Sequence, residues 1–205
     1  MDVSLLKRMK AVVIDVEGNG QTPPDLIEVA IQNINDAIEG DFAPISWLIK
    51  PPRPILSRVI RVHGITNEAL IGCPSWNEVQ SEIYKALNDA WIIGHNIKVD
   101  YEALRLHLPE WQPLGMLDTI VLARNVWPGL KSYSLDYLAE FAKLNLSAVA
   151  GKRHRAAYDV WVTWQLFLVL IIDCKALTLE DLLLLGQPNE SPRKRTSLNV
   201  QRSLF

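Results

Sequence analysis

Four carboxylates and one histidine sit at the ends of segments rather than inside them. Asp15 and Glu17 close the apolar run Ala11-Val12-Val13-Ile14-Asp15-Val16-Glu17, Asp100 follows His95-Asn96 by four residues, and His154 and Asp159 open His154-Arg155-Ala156-Ala157-Tyr158-Asp159. Side chains two apart on a strand share a face, so Asp15 and Glu17 stand side by side where the run meets solvent. Like charges so close raise each other's pKa or require a cation. Oxygen ligands pointing at one spot suit Mg²⁺ or Mn²⁺ better than zinc. Each residue also has a plainer reading: solvated acids at a strand end, a first-turn acid favoured by the helix dipole for Asp100, and a surface histidine in Lys152-Arg153-His154-Arg155. Asp159 resists that treatment, because a carboxylate followed by Val160-Trp161-Val162 on an apolar helix needs a partner. Five helical residues turn through about 500°, which would leave His154 and Asp159 about 140° apart. His154 therefore belongs to the preceding loop, where Ala150-Gly151-Lys152 gives it freedom to swing over a site floored by Asp159. Carboxylates holding two cations about 4 Å apart, beside a neutral imidazole that takes a proton from water, would make a two-metal hydrolase.

The elements that must position these groups follow from periodicity. The chain has 205 residues, 49% of them hydrophobic, enough for one sizeable core and short for two. We expect one domain over 1–186 and a flexible polar tail over 187–205. The net charge of −2 argues against coating nucleic acid by bulk electrostatics. Cys73 and Cys174, far apart and outside any Cys-x-x-Cys, fit free thiols in a reducing cytoplasm. The lysines and arginine before residue 11 do not make an export signal, since Asp15 interrupts the apolar run too early, and the apolar stretch 156–172 reads as a buried core helix. Strands are expected at 11–17, opening into a tight turn at Gly18-Asn19-Gly20, and at 26–34 and 46–50, as an antiparallel meander, with a loop or short helix over 54–70. A helix over 75–87 is capped by Ser75 and Glu78. Then come a strand at 91–96, a helix over 99–108, a strand or strand-helix junction at 116–124, and helices over 134–144, 155–172 and 178–185, the last ended by Gly186. A meander followed by alternating strands and helices gives an α/β fold with a mixed sheet flanked by helices.

In order and spacing, Asp15-x-Glu17, His95-Asn96-x-x-x-Asp100 and His154-x-Ala156-x-x-Asp159 resemble the three motifs of the DEDDh 3′→5′ exonucleases. The likeness runs over about residues 11–172. Leu122-Ala123-Arg124 and Trp127-Pro128-Gly129-Leu130-Lys131 are nearest in form to the exonuclease X branch, and the proofreading subunit of bacterial replicative polymerase belongs to the same family. The resemblance implies a ribonuclease H-like, five-stranded mixed sheet and release of nucleoside 5′-monophosphates from DNA 3′ ends in repair or proofreading. It implies two Mg²⁺ or Mn²⁺ ions held by Asp15, Glu17, Asp100 and Asp159, with Asp15 bridging and His154 as general base. It also implies that Val16, Gly18, His63, Ile65 and Asn96 line the terminal nucleotide. The chain departs from the family in Gly18-Asn19, where threonines are usual, and in Val99, where an aromatic residue is usual. A ribonuclease T-like RNA trimmer, or a retired nuclease fold serving as an adaptor, are the alternatives, although no catalytic position is missing. The residues Lys152, Arg153 and Arg155 are expected to contact phosphate.

The last five residues, Gln201-Arg202-Ser203-Leu204-Phe205, are similar to the short peptide by which bacterial DNA enzymes attach to the replication sliding clamp. Leu204 and Phe205 would be apolar anchors and Gln201 and Ser203 the polar positions beside them.

Overall fold

The structure, a computed structural model, describes residues 3–40, 42–148, 151–174 and 178–188. After a 3-10 turn at Val3–Arg8, strand β1 (Ala11–Gly18) pairs antiparallel with β2 (Leu26–Asn33), and a short helix α1 (Ile34–Glu39) leads to β3 (Ile45–Leu48). Helices α2 (Ser57–His63) and α3 (Trp76–Leu87) precede β4 (Trp91–Gly94), α4 (Ile97–His107) and β5 (Gly115–Asp118). Helices α5 (Thr119–Val126), α6 (Leu135–Phe141), α7 (Ala156–Asp173) and α8 (Leu179–Gly186) complete the described chain. The five strands form one sheet in the order β3-β2-β1-β4-β5. Its β1–β2 and β2–β3 pairs are antiparallel, and its β1–β4 and β4–β5 pairs are parallel. This is the mixed sheet that the meander-then-alternation pattern requires.

Alternation along β1 divides the core. Ala11 and Val13, with Ala30 of β2, Ile93 of β4 and Leu117 of β5, pack beneath α7, where Val160, Trp164 and Phe167 are buried. Val12 and Ile14, with Val29 and Ile31, pack with Val79 and Ile83 of α3 and Leu104 of α4 on the other side. The α7 face therefore receives the odd-numbered residues of β1, ending in Asp15 and Glu17. By length and composition α7 could cross a membrane, yet half of that stretch is buried inside the protein.

Local signals set most boundaries. Ser75 and Glu78 close a capping box on α3, and Thr178 and Asp181 close another on α8. Three expectations are corrected. The helix expected from residue 99 starts at Ile97, because Asn96 turns left-handed (φ 62°) and its N–H is held 3.2 Å from Asp118 Oδ1, 22 residues further on. The short helix α1 was not expected between β2 and β3. Asn33 caps it by accepting from Asn35 N, and Gly40 ends it in a left-handed conformation. Gly186 does not terminate α8 as a left-handed cap; it is the last helical residue. A Cβ there would lie 2.8 Å from Leu117 Cδ2, so glycine serves close packing on β5.

Candidate active site

The acids of β1 meet the other elements at one end of the sheet. Asp15 and Glu17 project toward α7, and the β1–β2 register shifts between Glu17 and Gly18, so that Gly18 pairs with Leu26. Asn19 carries the pairing into the turn: its backbone N–H donates to the Asp25 carbonyl at 2.9 Å, and its side chain donates to Asp25 Oδ2 at 2.7 Å and accepts from the N–H groups of Gln21 and Asp25. This buried asparagine thus closes the turn after β1, which accounts for one departure from the family pattern. Asp100, buried at 6% exposure, comes round the strand ends from α4 and accepts the Val16 N–H at 3.0 Å. Asp159 faces the strand from the first turn of α7, and one ligand atom each of Glu17, His154 and Asp159 lie within 4.8 Å of one another. His154 lies on the loop before α7, as helix geometry demanded. Its backbone is held, however: it is left-handed (φ 59°), and its N–H donates to Asp159 Oδ2 at 2.9 Å.

Burial, with the neighbouring acids behind it, perturbs every acid in the cluster. Burial, then Asp100, Asp159 and Glu17, raise Asp15 well above its ordinary value. Burial, followed by Asp159, Glu28 and Asp100, pushes Glu17 to about 8, with Arg155 acting the other way. Burial pushes Asp100 to about 7 against its hydrogen bond from Val16, and pushes Asp159 to about 6 against the bond from His154. Such a set of converging carboxylates, each charged only at a cost, fits divalent cations with oxygen ligands. Burial first, and then Arg153, hold the His154 imidazole below its ordinary pKa, so it is neutral at pH 7.

These shifts set the pH dependence of the metal-free protein. An acid whose folded pKa is raised contributes stability that is fully present below its ordinary pKa and is lost as pH rises through the raised value. Burial lowers the pKa of His63 and His95, the latter to about 4. With His154 they oppose the trend, and that opposition fades as pH rises past their ordinary value of 6.5. We therefore expect the melting temperature in EDTA to fall between pH 6.5 and about 8.5, mainly through Glu17 and Asp100. Added Mg²⁺ or Mn²⁺ should raise it more at the upper pH than at the lower. A melting temperature in EDTA that stays flat across this window would count against the cluster.

Two cavities meet at Val16 and Glu17. One, of about 350 Å³, is lined by Asp15, Glu17, His95, Asn96, Asp136, His154 and Asp159, among others. The other, of about 330 Å³, has a largely aliphatic lining that includes Val59, Val62, Val99 and Ala103, with Gly18 and His63. Of the residues expected at the nucleotide, Val16, Gly18, His63 and Asn96 line these cavities, but Ile65 does not. It is 4% exposed and packs inward with Ile27, Ile55 and Leu70, while its N–H donates to His63 Nδ1 at 3.0 Å. Nδ1 of His63 is thus engaged with its own turn, while Nε2 is buried without a hydrogen-bond partner.

The expected basic contacts are also revised. Arg155 does not face solvent phosphate; both ends of its guanidinium bond Glu28 of β2. Arg153 pairs with Asp136, and Lys152 Nζ packs over the left-handed Gly64, 2.5 Å from where a Cβ would stand. Sequence reasoning missed Glu28 and Asp118. The signal for Glu28 was an acid on an inward-facing position of Leu26-Ile27-Glu28-Val29-Ala30, and for Asp118 an acid capping a helix directly after an apolar strand. The expected partner-binding residues Gln201, Ser203, Leu204 and Phe205 lie outside the described residues, as does most of the expected tail.

Residues 12–167 match the RNase_T family, described as exonuclease. The chain belongs to this family. It is 32% identical over 180 residues to exodeoxyribonuclease 10 of Escherichia coli (strain K12), covering 86% of this chain and 76% of the relative. It is 30% identical over 166 residues to the DNA polymerase III subunit epsilon of Aquifex aeolicus (strain VF5), covering 78% and 79%. Among solved structures, exonuclease X in complex with 5′ overhanging duplex DNA superposes with a TM-score of 0.63 at 28% identity, covering 79% of this chain and 91% of that one. The fold is thus the ribonuclease H-like one of the DEDDh exonucleases, and the chain is a 3′→5′ exonuclease of a metal-dependent family.

Proposed function

We propose that the chain is a 3′→5′ exodeoxyribonuclease that releases nucleoside 5′-monophosphates from DNA ends in repair or proofreading. The observation that carries this reading is the junction of the two cavities: a carboxylate cluster opens, across Val16 and Glu17, onto an aliphatic pocket with room for one nucleoside. Asp15, Glu17, Asp100 and Asp159 would hold two divalent cations, Mg²⁺ or Mn²⁺. Bound there, such ions supply positive charge against the charge that develops on a phosphodiester under attack. His154, neutral at pH 7, accepts the proton of the attacking water at a ring nitrogen. Val16, Val59, Val62, Val99 and Ala103 exclude water around the last nucleoside, and Asn96 stands on the carboxylate side of the junction. An aliphatic wall suits a deoxyribose, which brings no 2′-hydroxyl to satisfy, and the relatives above carry DNA enzymes' names.

The test is a nuclease assay with 3′-labelled single-stranded DNA, duplex DNA and RNA, with Mg²⁺, Mn²⁺ or EDTA. We expect mononucleotide release from DNA with metal and none in EDTA. RNA cleaved as fast as DNA would replace this reading with the ribonuclease T-like one, and no cleavage of either would favour an adaptor. The proposal extends to a bacterial sliding clamp as partner of residues 201–205. Titrating a clamp with the full chain and with a chain ending at Val200 tests it, with binding on the order of micromolar expected for the full chain alone.

A further inference from the structure

The active-site end of the sheet carries another acid that the chemistry above does not use. Glu28 lies directly opposite Glu17 in the antiparallel β1–β2 ladder. Opposed residues share a face, so Glu28 points the same way as Asp15 and Glu17, at 2% exposure. A buried charge beside like charges requires its own partner. Arg155 supplies it: Nε donates to Oε2 and a terminal nitrogen to Oε1, each at 3.0 Å. The Ala156 N–H adds a bond to Oε2 at 3.1 Å, and the Ser46 hydroxyl reaches Oε1 at 3.5 Å. An ionised carboxylate has about four acceptor sites, and these donors fill them. Glu28 is therefore withdrawn from any part in holding a cation.

What Glu28 grips is the chain immediately after His154. His154 is left-handed, a conformation unfavourable for a residue with a Cβ, so neighbouring contacts must impose it. Its own N–H is held by Asp159, an acid whose oxygens are also wanted by cations. The grip of Glu28 on Arg155 and Ala156 depends on no metal ligand. We propose that Glu28, acting through Arg155 and the Ala156 N–H, is a positioning residue that sets His154 over the carboxylate cluster. The proposal rests on His154 being the base of the reaction proposed above.

The test compares Glu28→Gln with the parent, alone and in the His154→Ala background. Glutamine keeps an acceptor for Ala156 but loses the charged two-point hold on Arg155, and misplacement of a catalytic group by about 1 Å costs on the order of 10²-fold. We expect kcat to fall by about that factor with KM little changed, and no further fall when His154 is already alanine, because residues acting as one unit are not additive. The His154 imidazole resonances, read by NMR without substrate, should shift in Glu28→Gln. Arg155→Lys, which keeps the charge but not the paired geometry, should reproduce both effects should Glu28→Gln not fold. Unchanged imidazole resonances, or an equal loss with and without His154, would overturn the proposal. A parent that cleaves no nucleic acid would instead overturn the proposed function, and the resonances would still report on Glu28.

Discussion

Replacing any of Asp15, Glu17, Asp100 or Asp159 by alanine is expected to lower exonuclease activity by about 10³-fold or more while leaving the protein folded. Removing one preorganised electrostatic group from an active site costs about 10²- to 10³-fold, and here each change also removes a ligand from an ion pair shared with the others. Folding should survive because none of the four belongs to the apolar core clusters. Burial opposes the charged form of each, so deleting Asp15 or Glu17 relieves that cost, whereas deleting Asp100 or Asp159 also leaves the Val16 or the His154 N–H without its acceptor. In EDTA, at a pH above the value of about 8 to which Glu17 is raised, Asp15→Ala and Glu17→Ala should melt at or above the parent temperature, the pattern of a site assembled for function at the cost of stability. Asp100→Ala and Asp159→Ala, which each lose an acceptor for a backbone N–H, should melt at or below it. Isothermal titration with Mn²⁺ and a mononucleotide-release assay measure the two sides. Parent-level turnover in any two of the variants, or a large drop in the melting temperature of Asp15→Ala or Glu17→Ala in EDTA, would contradict this account.

His154→Ala should behave differently from the carboxylate variants. We expect its rate to fall by roughly 10²- to 10⁴-fold, the usual contribution of a positioned general base, with cation binding retained. Burial and Arg153 keep the imidazole below its ordinary pKa of 6.5. The parent rate should therefore fall as pH drops through that lowered value, where the base becomes protonated, and His154→Ala should lack that limb. The alternative has a clear signature. One ring nitrogen lies within 4.8 Å of an oxygen of Glu17 and one of Asp159, so if His154 is itself a ligand, its alanine variant will lose measurable Mn²⁺ affinity.

The sequence by itself determined the parts of this protein whose cause is local. Apolar β-branched residues ending in Asp15-Val16-Glu17 make a buried strand with two acids on one face, whatever packs against it. Ser75 with Glu78 caps a helix through contacts three residues apart. Five helical residues cannot bring His154 and Asp159 to one side, which put His154 on the loop where it is found. The three motifs, read in order, were enough to identify the exonuclease family. Tertiary structure alone decided which charges meet. Arg155 looked like a phosphate ligand because its partner, Glu28, is 127 residues away in the chain, and no window along the sequence reports that β2 places Glu28 opposite Glu17. Ile65 looked like a pocket residue, but the Ile27–Ile55–Leu70 cluster buries its side chain. Asn19 gained its role only once the register shift after Glu17 brought Asp25 beside it. Periodicity and capping act over a few residues and are written in the chain, whereas the pairing of buried charges depends on sheet register and helix packing, which assemble only when distant segments fold together.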